Sequence, residues 1–171
     1  MYQCRPVDVD VDVDVDVDVV DDDDNMLTLY AGMMEALNYR TQLFSSPIDY
    51  LEYMRSSDYL PPNLTILSDV NMPIMSGYEF LRAVRAVSRN QRFVIVTGSP
   101  DVPIKDEFAC FYLTKPFRLA KLADVLRGIA QCNEGGAHPE IIKCASIDDR
   151  CAFGLEAWRC PRAGTDRKSM K

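Results

Sequence analysis

Apolar positions along this chain fall into two alternating spacings. Met26, Leu29, Tyr30, Met33, Met34 and Leu37 stand three or four apart, the stripe of one helix face. Asp24 or Asn25 is placed to cap that helix. Ahead of it, Val19-Val20 runs into Asp21 to Asp24, an apolar strand end followed by acids. Leu43-Phe44 reads as a short strand, and Pro47 opens a second helix carrying Ile48, Leu51 and Met54. Leu64 to Leu67 is a buried-strand run ending at Ser68-Asp69. Gly77 precedes a third helix with Phe80, Leu81, Val84 and Val87 as its stripe. Phe93 to Val96 is a strand ending at Thr97, and Cys110 to Leu113 is another ending at Thr114-Lys115-Pro116. Between them, Pro100 and Pro103 leave room for only a short helix. A last helix carries Leu119, Leu122, Val125, Leu126 and Ile129.

Strand and helix therefore alternate throughout the middle of the chain. Parallel strands need crossover connections, so the alternation predicts an α/β fold, a parallel sheet with helices on both faces. Strands apolar at nearly every position fit burial on both sides.

The chain divides into a low-complexity Val-Asp repeat (residues 1–18, expected to be largely disordered), a domain over 19–131, and an irregular tail over 132–171. The repeat complicates the first strand. Asp16 and Asp18 share one face of any strand drawn through it, and a central strand is buried on both faces. An unpaired buried carboxylate costs several kcal/mol or takes up a proton. A short strand over Val17 to Val20 is the expectation. A two-residue slip reproduces the same pattern, and only the break in phase at Val19-Val20 selects one register.

Charge adds a boundary to this picture. The net charge is −7 over 171 residues, yet residues 1–18 alone sum to −5. The rest is near neutral, with no basic stripe, so direct nucleic-acid binding is not expected. No apolar run approaches the ~20 residues of a membrane span, and the N-terminus shows no secretory core. The six cysteines include no CxxC pair and fit no zinc spacing. They read as reduced thiols, which suits a cytoplasmic protein. His138, the one histidine, stands near Gly135-Gly136 and Pro139 and reads as a loop residue.

Candidate chemistry lies where an open parallel sheet keeps its crevice, beyond the carboxyl ends of the strands. Asp21-Asp22, Asp69, Thr97 and Lys115 all stand at such ends. Clustered carboxylates call for a cation, and hard oxygen donors suit Mg²⁺. A lysine and a hydroxyl beside them match phosphoryl oxygens, and an aspartate can take a phosphoryl group as an acyl phosphate. Asp69, on the most central of these strands, is the natural acceptor.

Four runs, in this order, carry a resemblance: Val19-Val20-Asp21-Asp22, Asp69 to Gly77 (DVNMPIMSG), Val96-Thr97-Gly98, and Thr114-Lys115-Pro116-Phe117. Together they resemble the receiver domain of two-component response regulators. The resemblance implies a flavodoxin-like, doubly wound five-stranded sheet of order 2-1-3-4-5. It makes Asp69 the phosphoacceptor and assigns Mg²⁺ to Asp21, Asp22, Asp69 and the main-chain carbonyl of Asn71. Thr97 and Lys115 become the phosphoryl-binding pair, Tyr112 the switch aromatic, and Lys115–Pro116 a cis bond. The implied partner is a sensor histidine kinase or a histidine phosphotransfer protein. The protein is then a phosphoacceptor rather than an enzyme.

Plainer readings stand beside these. Asp21 to Asp24 also reads as a solvated charge run and cap, Asp69 as a turn residue, and Thr97 as a strand-end hydroxyl. Lys115 also reads as a surface lysine, and Tyr112 as strand packing. Thr97 and Lys115 are 18 positions apart, closer than the family usually sets them, and the shortening falls on the fourth helix. The rival function is a non-signalling interaction protein whose compromised first strand impairs the metal site. Cation binding by the repeat itself is not expected, because it lacks the glycine turn and mixed ligands of a Ca²⁺ loop.

Overall fold

The computed structural model describes residues 15–88, 91–98 and 109–134, with side chains through residue 130. Expectations for the first fourteen residues, the short fourth helix between Thr97 and Ala109, and the tail beyond 134 lie outside these residues. The elements are β1 (Val17–Val20), α1 (Asp24–Ala36), β2 (Thr41–Phe44), α2 (Pro47–Arg55) and β3 (Thr65–Asp69), followed by α3 (Gly77–Val87), β4 (Phe93–Thr97), β5 (Phe111–Thr114) and α4 (Leu119–Glu134).

The five strands form one sheet in the order β2-β1-β3-β4-β5, every pair parallel. This is the doubly wound order expected of the resemblance. Alternate strand residues supply two cores. Val17, Val19, Leu67, Val94, Val96 and Leu113 pack under α1 and α4. Val20, Phe44, Ile66, Phe93 and Ile95 pack under α2 and α3. Burying both faces is what the unbroken apolar strands require.

The last residues of the repeat take part in the sheet. Asn63 N–H donates to the Val15 carbonyl and Leu64 N–H to that of Asp16, each at 2.8 Å. Val17 pairs with Thr41 on one side and Thr65 on the other. Long-range pairing, which local composition does not reveal, holds these residues in the sheet. At the other end α4 runs to Glu134, past the expected boundary at 131.

The two described aspartates of the repeat meet opposite fates. Asp16, at the sheet rim, accepts from the Arg40 main chain at 3.0 Å and from its guanidinium at 3.4 Å. Burial pushes its carboxyl up, but Arg40 and Asn63 more than offset this and hold it below the usual range. Asp18 is fully buried on the α2–α3 face. Its Oδ2 accepts from the Tyr50 hydroxyl at 2.8 Å, and its Oδ1 has no partner among the described residues. Burial pushes its pKa up to about 7, with the Tyr50 hydrogen bond opposing.

Helix starts position the later loops. Asp23, rather than Asp24 or Asn25, is the N-cap of α1, and its side chain accepts from Asn25 N–H at 2.9 Å. Ser76 and Glu79 close a reciprocal capping box on α3. Gly77 lies so close beneath β3 that a Cβ there would collide with the main-chain oxygen of Asp69. The apolar stripes overreach at their ends: Val87, in the last turn of α3, is exposed, and so is Leu29 on α1.

Candidate functional site

The carboxyl ends of β1, β3, β4 and β5 meet at one edge of the sheet. Parallel register brings them level, since Val20 pairs with Ser68, Asp69 with Val96, and Thr97 with Thr114. The main chain then locks the corner. Val70 N–H donates to the Val96 carbonyl at 3.0 Å, and Lys115 N–H to that of Thr97 at 2.8 Å.

Lys115 is the hub. Its Nζ lies 2.6 Å from Asp69 Oδ1 and 3.4 Å from Asp21 Oδ2. These groups stand just past β5, at the end of β3 and just past β1, so only the folded sheet assembles them. The remaining carboxylate oxygens are held by main-chain donors. Asp69 Oδ2 accepts from Asn71 N–H at 2.7 Å, and Asp21 Oδ1 from Asp23 N–H at 3.0 Å. Both acids are thereby aimed with little rotational freedom.

Electrostatics follow from burial. Asp21 is 2% exposed, and burial pushes its carboxyl above the ordinary value; the Asp23 N–H and Lys115 resist, and Asp69 adds to the rise. Desolvation alone would pull the Lys115 ammonium down, but Asp69 and Asp21 outweigh it and hold it above its usual range. Lys115 is thus held charged by both acids, and in turn it resists the rise at Asp21.

The other expected residues stand at different distances from this hub. Asp22 is exposed on the turn after β1, and no hydrogen bond joins it to Asp69 or Lys115. Among the described residues, no group of three or more acid, histidine or cysteine side chains is gathered to hold a metal ion. Thr97 is buried at the end of β4, one residue past the Val96 that pairs with Asp69. Tyr112 is half-buried on β5, and its hydroxyl accepts from Ala109 N–H at 3.2 Å. Burial pushes that phenol up, with the Ala109 N–H opposing. The Lys115–Pro116 bond is cis.

Two tyrosines escape a reading of the sequence. Tyr50 lies outside the Ile48, Leu51 and Met54 stripe read for α2 yet is buried, and gives no sign that it faces Asp18, although a buried strand aspartate implies a donor somewhere. Tyr30 reads as one apolar position in the α1 stripe. Its ring does stack on Phe117, centroids 6.2 Å apart, but its hydroxyl is buried without a partner among the described residues. A polar tip within an apolar stripe is the available signal.

A strand-end acid site on a 2-1-3-4-5 parallel sheet defines a class, and comparison with known proteins gives it a family. The response regulator receiver domain matches residues 17–127, well over half of the chain. The chain belongs to that family. It is 27% identical over 130 residues to the transcriptional regulatory protein FixJ of Bradyrhizobium diazoefficiens, covering 72% of this chain and 60% of that one. A response regulator receiver domain from Clostridium thermocellum shares the fold, with a TM-score of 0.62 at 21% identity over 70% of this chain and 97% of its own. The receiver domain of a sensor histidine kinase from Pseudomonas aeruginosa, described with magnesium coordinated in its active-site cleft, aligns with a TM-score of 0.58 and 25% identity. It covers 68% of this chain and 98% of its own. The chain spans between 25% and 60% of the length of curated relatives it matches. Several of those relatives are named transcriptional regulators, so they lend no support to the expectation that nucleic acid plays no part. No described helix is long and apolar enough to cross a membrane.

Proposed function

We propose that the chain is the receiver of a phosphorelay, taking a phosphoryl group on Asp69 from a phosphohistidine of a sensor kinase or histidine phosphotransfer protein. The observation that carries this is the 2.6 Å pair of Lys115 Nζ and Asp69 Oδ1 at the strand ends. Attack by an Asp69 carboxylate oxygen forms a phosphorus–oxygen bond and breaks the phosphorus–nitrogen bond. The histidine keeps that electron pair and picks up a proton. Lys115, already against Asp69, neutralises phosphoryl charge, and Thr97 at the end of β4 supplies a hydroxyl on the same edge. Tyr112 is the surface element proposed to respond.

The donor set fits a hard dication. Asp21 and Asp69 face one ammonium, Asp22 stands at the rim, and all the available ligands are oxygens. Asp21, Asp22, Asp69 and the Asn71 carbonyl would hold Mg²⁺, completed by water. Bound there, it supplies charge neutralisation for the phosphoryl oxygens.

The test is labelling of the full chain by a small-molecule phosphodonor with and without Mg²⁺. Labelling is expected only with Mg²⁺, and Asp69→Asn abolishes it. Undiminished Mg²⁺-dependent labelling of that variant overturns the reading. The interaction-only alternative drew on a compromised first strand, and β1 is paired on both sides along its whole length.

A further inference from the structure

The loop between β3 and α3 carries a strained residue that the phosphotransfer chemistry leaves unused. Ile74 stands at φ 71°, in the left-handed region. Met75 N–H donates to the Pro73 carbonyl at 2.7 Å, so Ile74 is the middle of a three-residue turn in its rare, positive-φ form. Glycine or asparagine adopts such a backbone at little cost, whereas a β-branched residue there is a marked outlier. Packing does not offset the strain. Ile74 is 90% exposed, more than any other large apolar side chain among the described residues.

Its neighbours hold this turn in place. Met72 is buried, and Met75 packs against the α2–α3 core. Asn71 N–H is bound to Asp69 Oδ2 at 2.7 Å and Gly77 N–H to the Val70 carbonyl at 2.9 Å, so the loop leaves Asp69 and closes back beneath it. Gly77 lies against the Asp69 carbonyl, and Ile74 is three residues away, a span of at most about 11 Å. The isoleucine is thereby presented to solvent beside the phosphoacceptor, on a loop pinned at both ends.

Strain kept at a defined position is characteristic of functional segments, although a lone exposed isoleucine is ordinary. Here the two coincide at the edge that a phosphodonor must approach. Even a small transient protein interface covers about 550 Å² of each partner, a disc about 13 Å in radius. One centred on Asp69 takes in the apex of this loop. We propose that Ile74 is a specificity residue for the phosphoryl-donating protein, its side chain making an apolar contact beside the phosphohistidine of that partner. This rests on the phosphorelay reading of Asp69. The partner must then carry an apolar side chain flanking its phosphohistidine, set to meet Ile74 while the imidazole faces Asp69. Ile74 touches no reacting atom, and a small-molecule donor, which occupies only the acid pocket, gains nothing from it.

The experiment compares two kinds of donor on the full chain and on its Ile74→Asn and Ile74→Leu variants. One is phosphoramidate with Mg²⁺; the other is a set of histidine kinases and phosphotransfer proteins of the source organism, each purified and phosphorylated on histidine. Asparagine tolerates the left-handed backbone, so it removes the apolar contact without adding strain. Ile74→Asn is expected to be labelled by phosphoramidate at the parent rate. With the protein donor its KM is expected to rise about tenfold at unchanged kcat, the loss of one apolar contact. Ile74→Leu is expected to stay within about twofold of the parent with both donors. A KM in Ile74→Asn equal to that of the parent overturns the proposal, as does an equal loss with both donors, which marks a disturbed loop. Failure of every protein donor to label the parent chain sinks the phosphorelay reading itself, and the Ile74 assignment goes with it.

Discussion

Tyr50 reaches from α2 to the middle of the sheet and gives its hydroxyl hydrogen to Asp18 at 2.8 Å, the one described hydrogen bond to that buried side chain. No charged side chain among the described residues balances the carboxylate. Its proton is held up to about pH 7 in the folded chain, against about 3.9 when unfolded. A raised carboxyl contributes stability below the unfolded value that is lost as pH rises through the folded one. Unfolding is therefore expected to become easier between about pH 4 and pH 7, by roughly 3–4 kcal/mol from this group alone. Asp16, held low, acts in the opposite sense and at lower pH, so the windows separate. Replacing both partners together, Asp18→Val with Tyr50→Phe, is expected to flatten that slope and raise stability at pH 8. Urea unfolding at pH 5 and pH 8 checks both statements; an unchanged slope in the double variant would show that Asp18 is not its source.

Lys115 balances two acids, one of them nearly inaccessible to water. Lys115→Met is expected to destabilise the apo chain by about 1–3 kcal/mol, less than a fully enclosed pair because the lysine is 26% exposed. The same substitution leaves the oxygens more negative, so Mg²⁺ is expected to bind more tightly and to restore more melting temperature than in the parent. Thermal melts across a Mg²⁺ series measure this. Equal rescue in both chains counts against a cation site at these acids.

The packing of Gly77 beneath β3 makes a compact prediction. Gly77→Ala sets a methyl against the Asp69 carbonyl, where backbone rather than a flexible side chain must yield. A loss of about 1–3 kcal/mol in urea unfolding is expected, with a fall in phosphodonor labelling because Asp69 moves with its own carbonyl. Full stability with full labelling would mean that the loop yields freely.

Much of the fold is legible in the pattern of residues. Strands and helices followed from spacing, while the order 2-1-3-4-5 came from the resemblance and not from periodicity. The misses share a physical cause. Four successive aspartates offer several equivalent caps, and the choice of Asp23 turns on its extended backbone, φ −95° and ψ 111°, which no local pattern encodes. Tyr50 was invisible because a pairwise contact across 32 residues leaves no trace in either segment alone.

The register of β1 has an evolutionary consequence. Removing or adding one Val-Asp unit anywhere from Val7 to Asp14 regenerates the same sequence ahead of Val19-Val20. Slippage of a copying enzyme on such a tract would alter the chain's length without altering a single residue that enters the sheet. The phase break at Val19-Val20 thus acts as a fixed datum: the distance from strand to acids is counted from it, whatever the number of repeats before it.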